Sequence, residues 1–194
     1  MKTFNQLIND TDVFGINYPF ALRTVRRGGE WIDIDICNKN LLDCNEVFKE
    51  HKVLMWLMFG TLLGASRDGK LMNYDTDVDV GIFRRDTIKA AAAMKDLCKN
   101  HGFKLIRNVT LDSTITLMRD DEYVDFYVFN ECAIWYLLLM EPEVCVLKDY
   151  QLNDLQTIQF LGTEFYIPND CEKDFSIWYG DTWRTPIKGK HYLK

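Results

Sequence analysis

Nothing in this chain is apolar for long enough to cross a bilayer. The longest such stretch, residues 53–65, falls short of a span and is broken by Gly60 and Gly64. The N-terminus, Met1-Lys2-Thr3-Phe4-Asn5-Gln6, lacks the apolar core of a secretory signal. The chain is therefore expected to be soluble and cytoplasmic, with no membrane span. Positive charge is scarce too: 23 Lys and Arg against 29 Asp and Glu leave a formal net charge of -6. That balance argues against extended nucleic acid as a partner, while leaving room for a local pocket that holds one nucleotide. The six cysteines form no Cys-x-x-Cys pair, and no Cys/His cluster has zinc-finger spacing. Cys44 and Cys98 fall on expected apolar helix faces and Cys132 in a strand-like run. Buried free thiols in a reducing compartment are therefore expected for Cys37, Cys44, Cys98, Cys132, Cys145 and Cys171. His51, His101 and His191 have no Ser or Cys arrangement beside them that would make a nucleophilic triad.

There are only four prolines, with no repeat, no low-complexity tract and no Pro/Gly/Ser linker. A chain of 194 residues with 47% apolar and 13% aromatic content reads as one globular domain over 1–194. Within it, residues 1–38 form an unassigned extension, with turn signals at Asn17, Pro19 and Gly28-Gly29.

The alternation Trp31-Ile32-Asp33-Ile34-Asp35-Ile36 predicts a half-exposed strand. Asn40, with Asp43 three residues on, is the expected cap of a helix whose face is Leu41, Cys44 and Phe48. Residues 53–59 read as a buried strand, ended by Gly60-Thr61 and a short helix to about Arg67, with Asp68-Gly69 as a turn. A strand is expected over 78–83. A helix capped by Asp86 or Thr87 and closed by Gly102 follows, with Ile88, Ala91, Met94 and Cys98 on one arc. Residues 103–108 and 113–118 read as strands, and Asp120-Asp121 as a hairpin turn into a strand over 122–129. Residues 132–140 fit either a strand or a buried helix, 165–168 a short strand, and Asn169 or Asp170 caps a helix to about Tyr179. Alternating strands and helices of this kind make the class α/β or α+β, a mixed sheet flanked by helices.

The chemistry is concentrated between residues 60 and 79. Asp77 and Asp79 alternate with Val78 and Val80, so the two carboxylates should project from one strand face. Carboxylates that close repel unless a cation or a proton lies between them. Hard oxygen ligands suit Mg²⁺ or Mn²⁺, which keep open positions for phosphate oxygens. Upstream, Gly60-Thr61 opens a helix whose N-terminal N–H groups make an anion site. Asp125, alone on the polar face of an aromatic-rich strand, supplies a third carboxylate. Such a centre beside a phosphate-holding turn suits phosphoryl or nucleotidyl transfer. Blander accounts compete. Asp33 and Asp35 show the same alternation, and a strand's solvent face produces it without chemistry. Asp75, Asp77 and Asp79 also match positions one, three and five of an EF-hand loop, but Val80 stands where that loop needs glycine. Gly60-x-x-x-Gly64 is not a P-loop, since no Gly-Lys-Ser/Thr follows. Arg67 on the same helix can reach a phosphate or simply lie on the surface. The tail, Trp178-Tyr179-Gly180-Asp181-Thr182-Trp183-Arg184, can wall a base or sugar, with Arg184, Lys188 or Lys190 near phosphates, or pack over the core.

Four ordered blocks carry a resemblance. They are Phe59-Gly60-Thr61-Leu62-Leu63-Gly64-Ala65-x-Arg67, Tyr74-Asp75-x-Asp77-x-Asp79, Val124-Asp125, and Tyr179-Gly180-Asp181-x-Trp183-x-x-Pro186. Over about residues 40–188 the chain resembles the LicD/fukutin family of the nucleotidyltransferase fold superfamily, with Tyr74 standing where that family usually has tryptophan. The resemblance implies a metal-dependent phosphotransferase that moves a phospho-alcohol, such as phosphocholine or ribitol phosphate, from its CDP derivative to a sugar or glycan hydroxyl. It implies Mg²⁺ or Mn²⁺ on Asp77, Asp79 and Asp125, with Asp125 also serving as base. It implies donor or acceptor contacts from Gly60, Thr61, Arg67, Asp75, Trp183 and Arg184. Transfer of a nucleotide from an NTP, or nucleotide binding without catalysis, are the alternatives that the same fold leaves open.

Overall fold

The computed structural model describes residues 31–109, 114–132, 135–139 and 144–187. The turn signals at Asn17, Pro19 and Gly28-Gly29, and the tail residues Lys188, Lys190 and His191, lie outside the described residues.

The first described element corrects an expectation. Residues 31–36 form no strand; helix α1 spans Ile34–Glu50, and Asp33 is its N-cap. The Asp33 carboxylate accepts from the N–H groups of Asp35 (3.1 Å) and Ile36 (3.2 Å), two donors that a helix start leaves over. The two-residue alternation is short, whereas Cys37, Leu41, Cys44 and Phe48 repeat at helical spacing and are all buried. The longer period wins. Asn40 is accordingly not a cap but a buried mid-helix residue. Its amide donates to the carbonyls of Arg119 (3.1 Å) and Glu122 (3.3 Å), and its oxygen accepts from Arg119 Nε (2.8 Å). Asp43, expected as its reciprocal capping partner, instead pairs with Arg119 Nη1 at 2.6 Å and Lys39 at 3.1 Å. These bonds fasten α1 across the hairpin turn Asp120-Asp121, where both residues take positive φ as a tight two-residue hairpin requires.

Strand β1 (Met55–Leu57) then leads into helix α2 (Phe59–Asp68), and β2 (Val78–Phe83) follows the Asp68-Gly69 turn. Helix α3 (Thr87–Asn100) buries Thr87, Ala90, Ala91, Ala93, Met94 and Leu97. The arc expected around Ile88 is displaced: Ile88 is 46% exposed, and Cys98 is half-buried. Two stripes share Ala91 and Met94, and the one richer in alanine lets the helix come closer to its neighbours. The chain continues through β3 (Lys104–Val109), β4 (Thr114–Arg119), β5 (Glu122–Cys132), β6 (Trp135–Leu139) and β7 (Val144–Lys148). It then forms α4 (Asp149–Asn153), β8 (Gln156–Phe160), β9 (Thr163–Ile167) and α5 (Cys171–Tyr179). Residues 135–139 are thus a strand, resolving the choice left open at 132–140.

The sheet runs β3-β4-β5-β2-β1-β9-β8, with β6 and β7 continuing from the far end of β5. It is mixed: β2/β5 and β1/β9 are parallel, and the other pairs antiparallel. The α/β architecture expected from the sequence is the one observed. Val78, Val80 and Ile82 of β2 and Val124, Phe126 and Val128 of β5 are buried on one sheet face, where Phe48 of α1 stacks on Phe126 at 5.1 Å. Each fully buried phenylalanine there contributes roughly 1.5–3 kcal/mol. The opposite face is apolar at one end, where Trp56 packs on Phe83 (4.6 Å) and Phe129 (5.6 Å). Gly81 is required beneath that indole, since a Cβ at Gly81 would collide with it. The other end of this face carries the carboxylates.

Cys37, Cys44, Cys98 and Cys171 are free thiols, and burial pushes Cys98 up to about 12 and Cys171 to about 11, which keeps both protonated and inert. The side chains of Cys132 and Cys145 lie outside the described residues. Among the described residues, no helix is long and apolar enough to cross a membrane.

Candidate active site

Parallel pairing of β2 with β5 sets Asp79 directly opposite Asp125. Asp77 precedes Asp79 by two residues and projects to the same side. The three residues each bring a carboxylate oxygen within 4.8 Å of the others. Asp79 (5% exposed) and Asp125 (3%) are buried; Asp77 is half-buried. Among the described residues this is the one group of three or more acidic, Cys or His side chains so placed. Burial first, then the charges of Asp77, Asp75 and Asp125, holds the Asp79 carboxyl well above the usual carboxylate range. An all-oxygen donor set at this spacing is compatible with a hard divalent cation, which removes that repulsion.

Hydroxyl groups hold all three carboxylates. Thr116, opposite Asp125 on β4, donates to Asp125 Oδ1. Thr76 donates to Asp77 Oδ1 at 3.4 Å. The Tyr127 hydroxyl hydrogen-bonds to Asp79. Neither Thr116 nor Tyr127 was singled out from the sequence. Counting outward from the Asp120-Asp121 turn would have set Thr116 against Asp125, and Tyr127 lies two residues past Asp125 on the same face.

The Gly60-Thr61 turn meets this cluster from above. The N–H of Leu62 is bonded to the Met58 carbonyl at 2.9 Å, so the N–H groups of Phe59, Gly60 and Thr61 make up the preceding helix start. Thr61 is 1% exposed, and its hydroxyl accepts from the Asp79 N–H at 2.8 Å, tying α2 to β2. Gly60 lies against the Asp75 carboxylate, and a Cβ there would overlap it. Asp75 accepts from the Thr76 N–H at 3.0 Å, and its carbonyl accepts from the Ile32 N–H at 3.1 Å. Phe59, the first residue of α2, sits at φ +41°, a left-handed conformation that costs a non-glycine residue on the order of 1–3 kcal/mol.

Asp75, Gly60 and Thr61 are thus brought together with the three carboxylates. Arg67, Trp183 and Arg184 are instead engaged with the tail and its neighbours. Arg67 donates through Nε and Nη2 to Asp68 (3.0 and 2.6 Å), through Nη1 to the Trp183 carbonyl (3.0 Å) and through Nη2 to the Tyr74 hydroxyl (2.8 Å). Trp183 is buried against Phe175 at 4.9 Å. Arg184 lies over the Trp183 ring and pairs with Glu172 at 2.6 Å. The EF-hand alternative is excluded: Asp79 and Val80, which it would place in a loop, lie within the buried strand β2.

A family model described as LicD/FKTN/FKRP, nucleotidyltransferase domain, matches residues 52–170, which include Gly60, Thr61 and all three clustered carboxylates. A relative from Rickettsia typhi (strain ATCC VR-144 / Wilmington), the uncharacterized protein RT0683, is 26% identical over 124 residues, covering 59% of this chain. The chain spans 38% of that relative's length. The lincosamide antibiotic adenylyltransferase LnuA, solved with lincomycin bound, superposes with a TM-score of 0.52 at 16% identity, over 74% of this chain and 86% of that one. The antibiotic-resistance factor ANT(2'')-Ia superposes with a TM-score of 0.50 at 13% identity, over 70% and 66%. At such identities the likeness is one of fold.

Proposed function

The chain belongs to the LicD/FKTN/FKRP nucleotidyltransferase-domain family, and from that premise we propose that it is a metal-dependent transferase moving a phospho-alcohol from a CDP-linked donor to a sugar or glycan hydroxyl. The observation that carries this reading is the trio Asp77, Asp79 and Asp125, with oxygens within 4.8 Å, inside the family-matched segment.

The three carboxylates would hold Mg²⁺ or Mn²⁺, which when bound neutralises phosphate charge and polarises the reacting phosphorus. The rest of the work falls to the chain itself. Backbone N–H groups at Gly60 and Thr61, at the positive end of α2, bind donor phosphate oxygens. The buried Thr61 side chain holds the turn rather than the substrate, through its bond to Asp79 N–H. Asp125 Oδ takes the proton of the acceptor hydroxyl as that oxygen attacks the β-phosphorus; the bond from that phosphorus to the bridging oxygen breaks, and CMP leaves. Thr116, by donating to Asp125 Oδ1, holds that carboxylate in place for the proton transfer. Catalysis on this account is positioning and charge neutralisation, with no covalent intermediate.

The test is the leaving group. Incubated with Mg²⁺ or Mn²⁺, a panel of CDP-alcohols and a hydroxylated acceptor, the protein should release CMP. Pyrophosphate release from an NTP, with no CMP from any CDP-alcohol, moves the assignment to nucleotidyl transfer, in which attack falls on the α-phosphorus.

A further inference from the structure

Tyr127 lies on β5 two residues beyond Asp125 and opposite Gly81 of β2, so it stands diagonally next to Asp79. Its two ends make different contacts. The hydroxyl hydrogen-bonds to the Asp79 carboxylate. The ring meets Phe59 edge to face, with centroids 5.1 Å apart and planes at 83°. Phe59 is the residue at φ +41° that begins α2, and it also packs on Trp178 of α5 at 5.2 Å. Strained backbone persists only where its surroundings over-determine it, and here two aromatic rings do so.

We infer that Tyr127 is the positioning residue that orients Asp79 for its cation and ties that carboxylate to the Gly60-Thr61 turn through Phe59. The inference rests on the metal reading proposed above. Asp79 is a buried carboxylate with like charges around it, so left to itself it turns away from Asp77 and Asp125. A hydroxyl on one of its oxygens fixes the carboxylate plane and leaves the other oxygen to ligate. Partners of this kind typically change metal affinity by 10- to 100-fold when removed. The aromatic brace adds a second consequence. Any movement of the turn that receives the donor phosphates is transmitted to Asp79, so phosphate and metal sites are held in register by one side chain.

The test is Mn²⁺ binding, measured by the electron paramagnetic resonance signal of free ion, on wild type, Tyr127→Phe and Phe59→Leu, each with a metal-free melting curve. Tyr127→Phe keeps the ring and its packing, so its metal-free melting temperature should stay within a few degrees of wild type. Its Mn²⁺ affinity should fall by roughly 10- to 100-fold. Phe59→Leu keeps the hydroxyl but loosens the brace, and its affinity should fall by a smaller factor. Wild-type affinity in Tyr127→Phe overturns the role of Tyr127 alone. Wild-type affinity in Phe59→Leu overturns the link to the turn. A wild-type protein that does not bind Mn²⁺ at millimolar concentration overturns the metal reading and this role with it.

Discussion

Three carboxylates with oxygens within 4.8 Å are a cost that the fold has to carry when no cation is present. Asp77→Asn, Asp79→Asn and Asp125→Asn should therefore each abolish turnover while preserving the fold. In metal-free buffer each should melt at or above the wild-type temperature, because a like charge has gone. Asp33→Asn is the matching control. Asp33 caps α1, and asparagine caps a helix about as well as aspartate, so both stability and activity should stay at wild type. Asp33→Ala should cost about 1 kcal/mol and still leave activity alone. Loss of turnover in Asp33→Asn, or full turnover in Asp77→Asn, would refute the assignment. The carboxylates were legible as an alternation of Asp with Val, but so were Asp33 and Asp35, and what separates the two cases is not local. Asp79 gains meaning from Asp125 across a parallel strand pair, Asp33 from two N–H groups at a helix start. Thr116 is within reach of the sequence only by counting register outward from the Asp120-Asp121 turn, and Tyr127 meets Asp79 across a parallel pair that no turn sets.

Arg67 shows how an element can be legible while the partners of its side chain are not. Helix α2, the Asp68-Gly69 turn and β2 fall where the apolar runs and glycines predict, because glycine and apolar periodicity act locally. The guanidinium, which the sequence lets reach a phosphate or lie on the surface, links α2 to the Tyr74 loop and to the Trp183 carbonyl. A fork of five donors fits such a junction, whereas lysine offers one compact charge. Arg67→Ala and Arg67→Lys should each lose on the order of 2 kcal/mol, since the carbonyl and Asp68 lose charge-assisted bonds. Thermal melts set beside calorimetric donor titrations decide the matter. Weaker donor binding with an unchanged melting temperature would return Arg67 to the phosphate; a lower melting temperature in both variants makes it the clamp between loop and tail. The misplaced arc of α3 has a related origin: Ile88 and the Ala90–Leu97 stripe both satisfy helical spacing, and only the neighbouring sheet and α1 decide which one is buried.

Stability as a function of pH ties the candidate site to the rest of the protein. Burial holds the carboxyls of Asp79 and Asp174 above the usual range. Asp79 is raised by burial and by its acidic neighbours. Asp174 on α5, which accepts from Gln151 at 2.5 Å, is pushed up to about 6, mainly by burial. A carboxyl whose folded pKa exceeds its unfolded value binds its proton more tightly in the folded state. Its contribution is fully present below the unfolded value near 3.8 and is lost as pH rises through the folded one. For Asp174 that window runs from about 4 to about 6. Asp174→Asn should flatten the decline there and leave the protein more stable at neutral pH. Divalent metal acts on the other carboxyl. Bound to the Asp77–Asp79–Asp125 trio, it needs Asp79 ionised, and the raised pKa of that carboxyl makes protons and metal compete, so the gain from metal must grow with pH. At a hundred times its dissociation constant, a ligand of the folded state adds about 2.7 kcal/mol. In a chain of this length that corresponds to a rise of roughly 5–10 °C in melting temperature. Melting curves from pH 5 to pH 8, with and without Mn²⁺, should therefore diverge as pH rises, and Asp174→Asn should shift both curves together without closing the gap. Asp79→Asn should abolish the gap, because it removes the group for which proton and metal compete. Coincident curves at pH 8 in millimolar Mn²⁺, with nucleotide present or absent, would mean that the trio holds no cation.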